Sequence, residues 1–102
     1  MSTGKNSPLL SDNQLEQVAL RFRMLGEPTR LRILQSVCSQ PRTVSGIVEA
    51  VAASQANVSK HLALLAGAGI LERRKAGQCV YYGMKDQLAM KLCALVHKHL
   101  AP

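Results

Sequence analysis

Three features of the 102-residue sequence predict a mainly α (α+β) fold. Apolar residues recur every three or four positions along most of the chain, which is the period of amphipathic helices. Two helical segments are joined by a tight connection at Ala52–Ala53, and two basic segments flank Gly77, a residue suited to a hairpin turn. Helix, turn, helix and hairpin in this order predict a winged helix-turn-helix of five helices with a two-stranded β-hairpin wing.

The first two helices have clear start and stop signals. Ser11 followed three residues later by Gln14 predicts a capping box, and Gly26 ends the apolar repeat of the first helix. Pro28 suits the first turn of the second helix, because its missing N–H would have no partner there. Apolar residues on two stripes, one of them including Cys38, predict that this helix is buried on a broad face.

The remaining elements are predicted from the same kinds of signal. Thr43 can cap a third helix and Ser54 a fourth, in which Val58, Leu62 and Leu65 point inward. The predicted bounds of the last elements are strands 70–74 and 79–84 and a helix 86–100.

Length and charge limit the kinds of protein this chain can be. Residues 1–10 are expected to form a flexible tail, and residues 11–102 a single domain with one modest, mostly aliphatic core. Thirteen basic against six acidic residues give a net charge of +7, which favours a polyanionic partner such as nucleic acid. The alternative is a solvated surface that is merely basic.

The predicted fourth helix has a polar side opposite its apolar one. Glutamine and asparagine can bond adenine edges, lysine can reach guanine or phosphate, and the helix N-terminus can hold a phosphate. The wing offers basic side chains for flanking phosphates or the minor groove. The candidate contacts to double-stranded DNA are Ser54, Gln55, Asn57, Ser59, Lys60, His61, Arg73, Arg74, Lys75 and Gln78. Each alone is also explained as a solvated surface residue, but together in this order they favour DNA.

Other classes of function lack their signatures. The cysteines Cys38, Cys79 and Cys93 form no CxxC pair, so neither a zinc ribbon nor a thioredoxin-like motif is supported. We expect a cytoplasmic chain, because no apolar run is long enough to span a membrane and the first residues lack a signal segment. No cofactor is expected either. No nucleophile–base pair or phosphate loop appears, so an enzyme is not expected.

Three segments resemble the ArsR/SmtB family of bacterial winged-helix repressors: 25–34 (LGEPTRLRIL), 54–65 (SQANVSKHLALL) and 77–82 (GQCVYY). The resemblance covers roughly residues 13–100. It implies a homodimer that binds an imperfect palindromic operator and is released by an inducer. In the family the first and last helices form the dimer interface, which makes these residues candidates: Leu15, Val18, Phe22, Leu88, Leu92, Leu95 and Val96.

The sequence departs from the metal-sensing members of that family. Thr43 and Ser45 stand where arsenic- and cadmium-type members carry cysteines, and the last helix lacks the zinc-type Asp-x-His pair, so no metal site is expected. Cys38 and Cys93 are possible sensor thiols, because persulfide-responsive members carry a cysteine pair on the same two helices. Two alternatives stay open. The cysteines can be small core residues, or the chain can be a DNA-binding module without a small-molecule sensor, constitutive or regulated by a partner protein.

Overall fold

A computed structural model describes residues 9–102 and contains the five predicted helices and the hairpin. The predicted tail lies almost entirely outside these residues. The elements are α1 Asp12–Leu25, α2 Pro28–Val37, β1 Arg42–Thr43, α3 Val44–Val51, α4 Gln55–Gly67, β2 Leu71–Ala76, β3 Cys79–Met84 and α5 Leu88–Leu100. None of the helices described is both long and apolar enough to cross a membrane.

The sheet has three strands in the order β1-β3-β2, and not only the two predicted for the wing. Arg42 and Thr43 pair antiparallel with Tyr82 and Tyr81 of β3. The strands β2 and β3 form the predicted hairpin around Gly77, whose φ of 64° is the left-handed conformation that glycine adopts without strain. A strand of two residues has too little sequence for a period of two to be recognised, so β1 was missed.

The predicted helix caps at Ser11, Thr43 and Ser54 are confirmed, since each side chain accepts a hydrogen bond from the backbone N–H three residues later. Glu27 caps α2 in the same way and was not predicted, because glutamate is not among the usual capping residues. Its carboxylate accepts from the N–H of Arg30 at 2.9 Å. That hydrogen bond is the main reason that the pKa of Glu27 lies below its ordinary value.

The core is aliphatic, as predicted, and lies between α2, α3, α4 and the start of β2. Its fully buried side chains are Ile33, Leu34, Val37, Ile47, Val58, Leu62, Leu65, Ile70 and Leu71. Three of them come from one face of α4, so the opposite face of that helix points away from the core. Cys38 does not belong to the core: it follows the last residue of α2 and is exposed. The alternative of a packing role is therefore wrong for Cys38.

The turn between α3 and α4 contains a strained residue. Ala52 directly follows the last residue of α3 and has φ 55° and ψ 47°. Its N–H donates to the Val48 carbonyl at 3.0 Å. Left-handed geometry brings the Cβ of an L-residue close to the following carbonyl oxygen, and glycine avoids this contact. The turn thus has the ordinary conformation of a helix end but a residue that is unfavourable there.

We expect Ala52→Gly to stabilise the fold. Removing the Cβ should raise the free energy of unfolding by about 0.5–1 kcal/mol, since relief of the strain exceeds the added entropy of the unfolded chain. Urea denaturation at a fixed protein concentration measures the difference. Ala50→Gly, at an exposed position within α3, is the matched control and should lower the free energy of unfolding by a similar amount. Equal destabilisation by both variants would contradict the strain at Ala52.

Candidate nucleic-acid interface

The outer face of α4 presents the predicted polar side chains. Gln55, Asn57, Ser59 and Lys60 are all exposed, whereas Val58 between them is completely buried. These four residues lie in the first two turns of a 13-residue helix. Amide, hydroxyl and ammonium groups are therefore collected at one end of one helix, with nothing from the described part of the chain covering them.

The N-terminus of α4 adds backbone donors to this surface. The hydroxyl oxygen of Ser54 accepts from the N–H of Asn57 at 3.1 Å, and the first regular helical bond runs from the Val58 N–H to the Ser54 carbonyl. The amides of Gln55 and Ala56 precede that first bond and point out of the helix end. Together with the positive end of the helix dipole they can hold an anionic group such as a phosphate.

The wing carries the predicted basic side chains at its tip. Arg73, Arg74, Lys75 and Gln78 are all exposed on β2 and the turn. Arg74 differs from its neighbours because its Nη2 lies 2.8 Å from Oε2 of Glu72, in an ion pair open to solvent. Such exposed pairs contribute little to stability. Within the described part of the chain, Arg73 and Lys75 take part in no ion pair or side-chain hydrogen bond, so their charges are free to attract a polyanion.

His61 is the exception among the ten candidates. Its side chain is only 6% exposed, and its Nδ1 accepts a hydrogen bond from Nε of Arg30 at 3.1 Å. The prediction that it faces DNA is corrected by this geometry, because the ring faces α2. Its position follows from spacing: it comes three residues after Val58 and four before Leu65, on the buried face of α4. Arg30, the partner, was not predicted as a functional residue.

The candidate dimer residues line an apolar surface on α1 and α5. Phe22 is 61% exposed, Leu95 65% and Val96 56%, values unusual for large apolar side chains. Leu15, Val18 and Leu88 are exposed as well, while Leu92 is half-buried. A cavity of about 410 Å³ lies between α1, α2 and α5. Leu100, 73% exposed, also lines it and was missed by the sequence prediction.

The structure separates the three cysteines. Cys38 is exposed at the end of α2, and Cys79 is exposed on β3. Cys93 is half-buried on α5 and lines the apolar cavity beside His97. Among the residues described, no group of three or more histidine, cysteine, aspartate or glutamate side chains could hold a metal ion.

Comparison with known proteins gives a family for this arrangement. The family model described as bacterial regulatory protein, arsR family, matches residues 27–73, which run from the cap of α2 into β2. A transcriptional repressor SmtB homolog from Synechocystis is 32% identical over 92 residues, covering 90% of this chain and 70% of that protein. The chain spans 70, 64 and 59% of the lengths of three such relatives.

Solved structures share the whole fold. NolR from Sinorhizobium fredii aligns with a TM-score of 0.80 at 25% identity, over 92% of this chain and 97% of that one. A homodimeric winged helix-turn-helix DNA-binding domain from Mycobacterium bovis, a possible ArsR-family regulator, aligns with a TM-score of 0.75 at 30% identity. This alignment covers 89% of the present chain and 87% of the M. bovis domain. The family's members are transcriptional regulators and not enzymes, as predicted, and this chain belongs to the ArsR family of bacterial regulatory proteins.

Proposed function

We propose that the chain is a homodimeric, cytoplasmic repressor that binds an imperfect palindrome in double-stranded DNA and is released from it by an inducer. One observation carries the DNA-binding part of this proposal. The buried face of α4 directs four exposed polar side chains outward from a helix-turn-helix in a chain of net charge +7. The major groove of DNA accommodates a helix, and its base edges form hydrogen bonds with amide and lysine side chains.

The polar residues divide into two kinds of contact. Gln55, Asn57, Ser59 and Lys60 are proposed to meet base edges, since they lie at the N-terminal end of α4 where recognition helices read sequence. Phosphate contacts are proposed for Ser54 together with the helix N-terminus. The wing is proposed to contact phosphates or to enter the minor groove through Arg73, Arg74, Lys75 and Gln78. His61 is left out of both sets because its side chain is buried.

The dimer is proposed from the apolar surface on α1 and α5. Exposed leucine, valine and phenylalanine side chains on two neighbouring terminal helices favour association with a second copy, which would remove them from water. The M. bovis neighbour is described as homodimeric, which supports the same assembly here. A symmetric dimer presents two copies of α4, as a palindromic operator requires.

We expect the two kinds of DNA contact to respond differently to substitution. Asn57→Ala should weaken binding to a duplex selected from a random library by roughly 5- to 150-fold, and to unrelated DNA much less, because a base contact is lost. Lys75→Ala should weaken both duplexes alike and lower the slope of log affinity against log salt by about one. Fluorescence anisotropy over a salt series measures both effects.

Arg32→Ala is the matched control for the loss of one positive charge, since Arg32 is exposed on α2 and belongs to neither α4 nor the wing. Its affinity should stay within about twofold of the unmodified chain. If selection yields no preferred duplex and Asn57→Ala binds all DNA as before, the protein binds DNA without reading its sequence.

Leu95→Glu should convert the dimer to a monomer. The side chain is 65% exposed in the single chain, so a charge is tolerated there, but it would be buried without a partner in the proposed interface. Sedimentation equilibrium measures the mass. Leu64→Glu, at an exposed apolar position on α4, should remain dimeric. A Leu95→Glu protein with the mass of a dimer and normal helix content would contradict this interface.

The inducer part of the proposal rests on the thiols, because no metal-binding cluster is found among the described residues. Cys93 lines the cavity between α1, α2 and α5, next to the proposed dimer surface, and Cys38 is open to solvent. Reaction of either thiol with a sulfur species would add a group at these helices. The alternative is the same DNA-binding module without a small-molecule sensor. It is favoured because no cluster of metal-binding side chains is found in residues 9–102.

Polysulfide should release the DNA complex, and the release should be lost in Cys38→Ser or Cys93→Ser. The test is titration of the purified complex, followed by anisotropy, with arsenite and divalent metals as separate arms. Cys79→Ser is the control, because Cys79 is exposed on β3, outside these helices; it should respond like the unmodified chain. Full response of both single variants would exclude the two thiols, and release by no reagent would favour the sensor-free alternative.

A further inference from the structure

Arg30 connects three helices through one guanidinium. Its Nε donates to Nδ1 of His61 on α4 at 3.1 Å, and its Nη1 donates to the Arg23 carbonyl near the end of α1 at 3.3 Å. The same Nη1 lies 3.7 Å from Sδ of Met24. The backbone N–H of Arg30 is itself fixed by the Glu27 cap of α2. One half-buried side chain thus joins the ends of α1 and α2 to the middle of α4.

His61 is the one polar residue among the described residues that is classed as buried. A buried polar group destabilises the fold unless it has a hydrogen-bond partner, and Arg30 supplies one. Arginine can only donate, so Nδ1 of His61 is the acceptor in this bond. The buried Nδ1 therefore depends on Arg30 for its hydrogen-bond partner.

This bond supplies what the apolar contacts of α4 lack. Val58, Leu62 and Leu65 hold the helix on the core through hydrophobic burial, which is not directional. A hydrogen bond has a preferred direction and distance. His61 directly follows Lys60 and lies one turn beyond Asn57, so the Arg30 bond fixes the part of α4 that carries the proposed base contacts.

We propose that Arg30 is a positioning residue that sets the orientation of α4 for DNA through its hydrogen bond to Nδ1 of His61. The inference rests on the proposed DNA-binding function. With the bond in place, the exposed polar side chains of α4 keep one direction relative to α1 and α2. Without it, α4 stays on the core but these side chains fit base edges less well, so the affinity for a preferred sequence falls more than the affinity for unrelated DNA.

The test is the affinity for a selected duplex and for unrelated DNA, measured by fluorescence anisotropy. His61→Leu fills the buried position and removes the acceptor, so we expect it to lose about tenfold in affinity for the selected duplex, in line with one hydrogen bond to a charged group. His61→Asn keeps an amide oxygen that can accept from Arg30, so its affinity should change much less. His99→Leu, exposed on α5, should bind like the unmodified chain.

Arg30→Lys provides a second variant, because it keeps the charge and loses the Nε donor. It should bind the selected duplex about as weakly as His61→Leu, while its affinity for unrelated DNA and its helix content by circular dichroism stay unchanged. Equal affinity of His61→Leu, Arg30→Lys and the unmodified chain for the selected duplex would overturn the inference while leaving DNA binding intact. Absence of any preferred duplex would overturn the proposed function instead.

Discussion

The burial of one face of α4 underlies both the hydrophobic core and the position of the candidate DNA surface. Val58, Leu62 and Leu65 have no exposed surface, and they hold α4 against α2 and the first residue of β2. Burying three such side chains contributes roughly 5–9 kcal/mol, an upper bound because the unfolded chain already hides part of this area. A helix anchored so firmly on one side must present its other side to solvent, and that side is the candidate DNA surface.

Directional bonds complete what burial begins. Arg30 holds His61 in the middle of α4, and Arg21 of α1 donates to the Ala68 carbonyl at its C-terminal end at 3.1 Å. The second bond also complements the negative end of the helix dipole. Both arginines come from elements outside the helix-turn-helix. The orientation of α4 is therefore connected to α1 and α2, and through α1 to the surface proposed for dimerisation.

The surface proposed for dimerisation is the apolar part of a single copy that its own core leaves uncovered. The core has few aromatic residues, and several large apolar side chains of α1 and α5, including Phe22 and Leu95, stay in water. A domain of this size gains little from its own core alone. Association through the terminal helices would add buried area and fix the spacing of two copies of α4. Cys93 lines the cavity between α1, α2 and α5, so a chemical modification of its thiol would act beside this surface.

Features that depend on near neighbours in the chain could be predicted from the sequence alone. The caps at Ser11, Thr43 and Ser54, the turn at Gly77 and the inward face of α4 were all predicted, because each is fixed by residues within four positions along the chain. The motifs also identified the family. Even the burial of His61 was readable from its spacing and was overlooked.

Features that depend on contacts between distant parts of the chain required the tertiary structure. Strand β1 exists only because Arg42 and Thr43 meet β3 some forty residues away, and two residues have no pattern of their own. Arg30 meets His61 across 31 positions, and Cys38 leaves the core because α2 ends one residue before it. Long-range contacts are set by the packing of whole elements, whereas local propensity records only the preferences within each one.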